Sequence, residues 1–180
     1  TGKSYDDPLW DQLLDQLSVD DMINMVNLAG FQTVAVKSIG KAGTLDSDGT
    51  SGLNDWYIGV YGTAYSTELL IAQTWNKDLA YRIGEAQGAE YADCRIFGTY
   101  SPAMNTHRSA FTGRNFEYYS EDGVLAGHMA SNTVNGLAVK GVYAYIKHFV
   151  LNDQETNRCS FLLTYTDEQP LREIYMKPFE

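Results

Sequence analysis

A chain of 180 residues, 44% hydrophobic and carrying a net charge of −10, has the make-up of one globular domain or of part of a larger one. Its pI near 4.6 argues against a polyanionic partner such as nucleic acid, which is bound by Lys and Arg displacing counterions, and favours a neutral or cationic ligand. No apolar run approaches the ~20 residues of a membrane span, the opening TGKSYDDPLW has no apolar leader core, Cys94 and Cys159 form no C-x-x-C pair, and His107, His128 and His148 show no H-x-x-x-H spacing, so no membrane span, signal peptide, metal or cofactor is expected.

The first elements read as helices. DDPLWDQLLDQLS puts Leu9, Leu13, Leu14 and Leu17 on one face, and Ser18 then caps VDDMINMVNLAG, with Asp20 and Asp21 in the first turn and Gly30 as the stop. Residues 31–60 are loop-rich, with a short strand near 44–48 running into TLDSDGTSG. The spacing predicts a helix over 76–91 with a narrow stripe of Leu79, Ile83, Ala86, Gly88 and Ala89, then a strand over 95–100 that breaks at Pro102. A helix over 120–140 follows, with Ser120 as its N-cap, Ala126, Ala130, Val134 and Leu137 buried, and Gly141 as its stop. VYAYIKHF, 142–148, is a strand apolar on both faces, as buried parallel strands are. TDEQPLREIYMKPFE opens a last helix with a Thr166-x-x-Gln169 capping box and carries Leu171, Ile174 and Tyr175 inward.

Strand–helix alternation with connections this long implies a parallel sheet flanked by helices, an α/β class. Two architectures compete, a (β/α)8 barrel and an open doubly wound sheet. No G-x-G-x-x-G follows any strand, which lowers the dinucleotide-binding version of the second. In a barrel the C-terminal ends of the strands share one rim, where ligands bind. Asp48, the segment NTHRSAFTGRNFE and the pair Lys147–His148 all lie at such ends.

Each of these residues also has an ordinary use. A Lys after a strand is usually solvated and a lone His is usually structural. Asp48 sits in a D-G turn, and Arg114 has Glu117 within reach as a surface partner. Glu121 and Asp122 read as helix N-terminal charge, and Glu155 with Arg158 as a loop ion pair. His107 and Arg108 have no obvious partner in sequence, and Trp56, Trp75 and Tyr100 suit a ligand face or, more commonly, a core. A carboxylate, an Arg, a Lys and a His on one rim suit a sugar, whose vicinal hydroxyls both donate and accept. Glycoside hydrolysis needs two carboxyl groups in different roles, and no spacing here commits a pair to that.

The motifs from Ser47 to Glu180, densest over 100–180, resemble glycoside hydrolase family 3. They are DG followed by SG, N-x-H-R, GRNFE-Y-x-SED, KHF…N-x-QE-x-x-R and REIY-x-KPFE. The NDQETNR form resembles the β-glucosidase and β-xylosidase side of the family rather than the N-acetylglucosaminidase side. The resemblance implies that 1–180 is the N-terminal portion of a (β/α)8 TIM-like domain, incomplete at its C-terminus, in a retaining enzyme acting on β-linked sugars. It implies that Asp48, Arg114, Lys147 and His148 hold the glycone. The family's nucleophile, an Asp in an S-D-W motif beyond the KPFE helix, and its general acid, from a following α/β sandwich domain, have no counterpart in this stretch; Asp55 in LNDW lies in the loop after the DG motif and is not read as the nucleophile. The family's D-G-P-x-G followed by Arg is altered, with Thr50 for the Pro and Asn54 for the Arg.

The leading expectation is thus the N-terminal segment of a retaining β-glycosidase for terminal β-D-glucosyl or xylosyl units. Its partners are a β-linked glucoside, xyloside or oligosaccharide and the rest of its own barrel and sandwich. A non-catalytic carbohydrate-binding or scaffold protein, which Thr50 and Asn54 weakly favour, is the alternative. A Schiff-base aldolase using Lys147 leaves Asp48 and Arg114 unexplained. An acidic, cysteine-poor glycosidase fits bacterial cytoplasm, cell surface and secretion equally.

Overall fold

The computed structural model describes residues 2–180; Thr1, included in the 1–180 domain expectation, lies outside the described residues. The chain divides into two compact units, Thr1–Asp46 and Ser47–Glu180.

In the first unit, α1 is the short helix Leu9–Leu14, so Leu17 of the expected leucine face falls beyond it. Helix α2, Val19–Asn27, starts as its sequence dictates. The Ser18 hydroxyl accepts from Asp21 N at 3.0 Å and the Asp21 carboxylate accepts from Ser18 N at 3.0 Å, so two orphan donors of the first turn are satisfied reciprocally. Strand β1, Gln32–Thr33, pairs antiparallel with the start of β2, Thr44–Asp48. Lys41 Nζ donates to Thr33 Oγ1 and Val34 O, both at 2.8 Å, tying the connection down.

The second unit alternates strands and helices. The hairpin β3, Asn54–Asp55, with β4, Val60–Tyr61, leads into α3, Glu68–Gln73, and α4, Lys77–Asp93. Then come β5, Ile96–Tyr100, α5, Gly123–Ala138, and β6, Tyr143–Ala144, with β5 and β6 parallel. This is the expected α/β pattern. One apolar cluster joins Ile71, Ala72, Ala80, Met104, Tyr119, Ala126, Met129 and Ala130, and a second joins Leu53, Tyr91, Ile96, Leu137 and Val142. No helix among the described residues is long and apolar enough to cross a membrane.

Helices α4 and α5 pack backbone to backbone. A Cβ on Gly84 would lie 2.1 Å from Thr133 O, and one on Gly136 2.1 Å from Tyr81 O. The buried stripe of α4 is therefore Ala80, Gly84, Gln87, Gly88 and Tyr91, one position round from the expected one; of that stripe only Gly88 is buried. The expectation followed the larger aliphatics, whereas the closest approach selects the smallest residues. On α5, Ala126, Ala130 and Leu137 are buried as expected and Val134 is half-buried.

Two caps and one strand differ from expectation. Asp122, not Ser120, caps α5: its Oδ1 accepts from Val124 N at 2.8 Å and Leu125 N at 3.2 Å, while Ser120 Oγ accepts from Asp122 N. The Thr166–Gln169 capping box does not form. The N-cap is Asp167, so Gln169 falls one place short of the box position, and it donates to Glu173 instead. That last helical segment is one α-turn, Glu168–Pro170, followed by a π-turn, Leu171–Tyr175, which leaves Leu171, Ile174 and Tyr175 half-buried. Strand β6 is short, and beyond it the pairing with the β5 side continues irregularly through Tyr145 N to Thr99 O and Lys147 N to Pro102 O. Val142 is buried, but Tyr143, Tyr145 and Ile146 keep open outer surfaces, with Tyr145 stacked on Tyr100.

Candidate functional site

Three chain segments following β2, β5 and β6 converge within the second unit. Asp48 ends β2, and Gly49 and Gly52 then turn the chain with φ of 135° and 130°. A Cβ on Gly49 would lie 2.0 Å from Gly52 O and one on Gly52 2.1 Å from Thr63 O, so both glycines of the DG…SG motif are required by space as well as by φ. After β5, Asn105 is buried and clamps the backbone of His148: its Nδ2 donates to His148 O at 2.8 Å and its Oδ1 accepts from His148 N. The chain past β6 thus delivers Lys147 and His148 to the same place.

The polar contacts form one set of two bonded groups, which adjoin along the chain at Lys147–His148 and are coupled by the charge of Arg114 on Asp48. Lys147 Nζ donates to Asp48 Oδ1 at 2.7 Å. Arg114 Nε donates to Glu117 Oε1, its Nη2 donates to His148 Nε2 at 3.0 Å, and its Nη1 lies 3.7 Å from Glu155 Oε2. Glu155 also accepts from Arg158 Nε at 2.9 Å, so one carboxylate spans two guanidinium groups. His148 Nδ1 lies 3.1 Å from the Tyr118 hydroxyl, which accepts from Asn152 Nδ2 at 2.7 Å and donates to Asn152 O at 3.3 Å. Since Arg114 only donates, Nε2 is the bare nitrogen and Nδ1 carries the hydrogen.

The charges set the protonation states. Burial pulls the Asp48 carboxyl upward, but its bond to Lys147, that ammonium's charge, the Gly49 N–H and Arg114 together hold it below the usual value. His148 is pushed down to about 3 by burial, then by the charges of Arg114 and Lys147, so it is neutral. Behind this set, Glu68 is 1% exposed and burial pushes it up to about 8; its Oε2 lies 3.3 Å from Ser51 Oγ. The result places the Asp48 carboxylate, with its lone pairs, beside an ammonium with three N–H groups and a guanidinium fork. Such a set suits a neutral polyol. Among the described residues no group of three or more His, Cys, Asp or Glu is placed to hold a metal ion.

All four residues singled out from sequence, Asp48, Arg114, Lys147 and His148, are in this set. Arg114 does bond to Glu117, but Glu117 is buried rather than at the surface. Glu155 and Arg158 form the expected ion pair, and Asp122 serves as helix N-terminal charge. His107 finds Tyr118 O at 2.8 Å, Arg108 lies over the Tyr175 ring, and Trp56 and Trp75 are largely exposed. Sequence reading missed Asn105, Glu117 as a buried partner, Tyr118, Asn152 and Glu68 as members of the site; four of them lie inside the quoted motifs, Asn105 in N-x-H-R, Glu117 and Tyr118 in GRNFE-Y and Asn152 in N-x-QE-x-x-R, and only Glu68 carries no such signal.

The fold and this cluster define a part of an α/β barrel-type domain with a polar cluster at its strand ends. Residues 22–180 match the glycosyl hydrolase family 3 N-terminal domain, and the chain belongs to that family. It is 39% identical over 171 residues to beta-glucosidase A of Butyrivibrio fibrisolvens, covering 94% of this chain and 20% of that protein. It is 34% identical over 174 residues to a beta-glucosidase of Rhizobium radiobacter, covering 94% and 21%. Beta-glucosidase 3B of Thermotoga neapolitana, solved in complex with glucose, superposes with a TM-score of 0.81 at 37% identity, over 94% of this chain and 27% of that one. The Kluyveromyces marxianus beta-glucosidase in complex with glucose gives 0.85 at 32%, over 94% and 21%. These likenesses establish the fold class as α/β, partial (β/α)8 TIM-like. The chain spans about a fifth of the length of these curated relatives.

Proposed function

We propose that residues 1–180 are the N-terminal portion of one (β/α)8-type domain, and that the intact protein hydrolyses terminal non-reducing β-D-glucosyl or xylosyl units with retention. The observation that carries this reading is that the neighbours Lys147 and His148 bond Asp48 and Arg114 respectively, which brings the four residues together from three chain segments. Membership of a family whose matched relatives are named beta-glucosidases supports it.

In this reading Asp48, ionised, accepts from two adjacent sugar hydroxyls. Lys147 keeps two N–H groups for sugar oxygens while its third holds Asp48. A hydroxyl that bonds His148 Nε2 takes the place of Arg114, whose fork then turns to the sugar. These contacts raise the rate to the extent that they tighten as oxocarbenium character develops. The nucleophile and general acid are assigned to further barrel and sandwich segments of the intact protein, not to Asp55, whose carboxylate accepts from Tyr57 N at 2.9 Å and Ile58 N at 3.2 Å.

The test is hydrolysis of 4-nitrophenyl β-D-glucoside by the intact protein, with the first-formed anomer read by NMR. The β-anomer is expected. Asp48→Ala should lower kcat/KM by about 100- to 1,000-fold, the loss of two charge-assisted hydrogen bonds. Near-normal turnover by that variant refutes the role given to Asp48.

A further inference from the structure

The turn that carries Asp48 rests on a second layer of buried polar side chains. Tyr91, on α4, is 1% exposed in an otherwise apolar cluster of Leu53, Ile96, Leu137 and Val142. A phenol oxygen there is costly unless bonded. It accepts from Thr99 Oγ1 at 3.0 Å, which leaves its own hydrogen for the two carbonyl oxygens 3.3 Å away, those of Asp48 and Gly49. Gln87, one helical turn earlier and also buried, donates Nε2 to Thr50 O at 3.3 Å. Three successive carbonyls, 48 to 50, are thus held from one face of α4.

The fit is close. A Cβ on Gly49 would lie 2.9 Å from the Tyr91 oxygen, so the turn is pressed onto the phenol. Thr50 gives the turn no ring to fix its φ, so its stiffness has to come from bonds such as these. A phenylalanine would fill the same cluster; the hydroxyl serves Thr99 and the turn.

We propose that Tyr91, supported by Gln87, is a positioning residue that fixes the direction of the Asp48 carboxylate toward Lys147. Its value to the site rests on the glycosidase reading, but its effect on Asp48 does not. Loosening the turn weakens the 2.7 Å pair and the help from Arg114, the two cations that face Asp48, with His148 neutral beside them.

The experiment uses the intact protein with Tyr91→Phe and, separately, Gln87→Met, each keeping side-chain bulk. The Asp48 carboxyl is titrated by carbon NMR. In each variant its midpoint should rise by about half a pH unit or more, with the thermal midpoint of unfolding lowered by only a few degrees or less. The kcat/KM on the aryl β-glucoside should fall about 10-fold, and Tyr91→Phe should cost nothing further in an Asp48→Asn background. An Asp48 titration unmoved in whichever variant folds overturns the proposal. A wild-type protein without glycosidase activity sinks the functional reading instead, and the titration still decides this one.

Discussion

Arg114 donates to Nε2 of His148 at 3.0 Å, and that bond makes the guanidinium the hub of the site. The same fork holds Glu117 on one side and approaches Glu155 on the other. A planar group with fixed donors bonds Glu117 and His148 at once while its charge faces Glu155; an ammonium on a flexible stem does not reproduce that fork. Arg114→Lys keeps the charge and should still lower kcat/KM on an aryl β-glucoside by about 100-fold, close to the loss from Arg114→Ala. Steady-state kinetics on the two variants check this. A lysine variant within about 3-fold of wild type would show that charge alone is needed.

Burial first, and then the charge of Arg114 across the same bond, keep the imidazole neutral. With Nε2 accepting from Arg114 and Nδ1–H facing Tyr118, a second proton would point at a guanidinium. The folded value near 3 lies below the ordinary 6.5. Unfolded chains therefore bind more protons in that window, and stability is lost progressively as pH falls from about 6.5 toward 3. Nitrogen NMR of the ring should show one neutral Nδ1–H tautomer from pH 8 down to pH 4. In His148→Gln the stability should fall less steeply over that acid window. A ring that titrates near 6.5 refutes the arrangement.

What the sequence made legible is what spacing encodes. Side-chain periodicity over 76–91 and the stop at Gly141 after 120–140 placed the two principal helices, Lys77–Asp93 and Gly123–Ala138, close to their ends. Asp48, Arg114, Lys147 and His148 were visible because each lies at or beyond the C-terminal end of a strand and within a recognisable motif. Three things were not visible. Caps compete, and between Ser120 and Asp122 the choice depends on where the chain enters the helix. A close helix crossing buries glycines, so the aliphatic periodicity of α4 pointed one place off. Tyr91 and Glu68, which bond the turn after Asp48, look like any helix residue until that turn is brought over them.

Glu68 supplies a second pH dependence, of opposite sign. Burial dominates its environment and outweighs its own backbone N–H, Ser51 and Lys147, while Glu117 adds repulsion; the carboxyl is pushed up to about 8 from 4.5. Between those values the folded chain holds a proton that the unfolded chain has released. Stability therefore decreases as pH rises from about 4.5 to 8. Glu68→Gln keeps the shape and removes the titration. Its thermal midpoint should match wild type near pH 4.5 and exceed it increasingly up to pH 8. Parallel curves for the two proteins would show that Glu68 is ionised in the folded state.

The helix pair makes the last prediction, one in which local preference and packing oppose each other. Alanine is favoured over glycine inside a helix by ~1 kcal/mol. At Gly84 and Gly136, however, the added carbon would sit 2.1 Å from a backbone oxygen of the facing helix, and backbone cannot swing aside as a side-chain tip does. Gly136 would also meet Glu85 N at 2.6 Å. Moving the helices apart opens the cores on either side, around Met129 and around Leu137, so the cost spreads beyond the contact. Gly84→Ala and Gly136→Ala should each destabilise by about 2–4 kcal/mol despite the propensity gain. Ser131→Ala, on the exposed side of α5, should stay within about 0.5 kcal/mol. Urea unfolding of the three variants measures this directly. Glycine variants as stable as Ser131→Ala would mean that α4 and α5 do not approach this closely in solution.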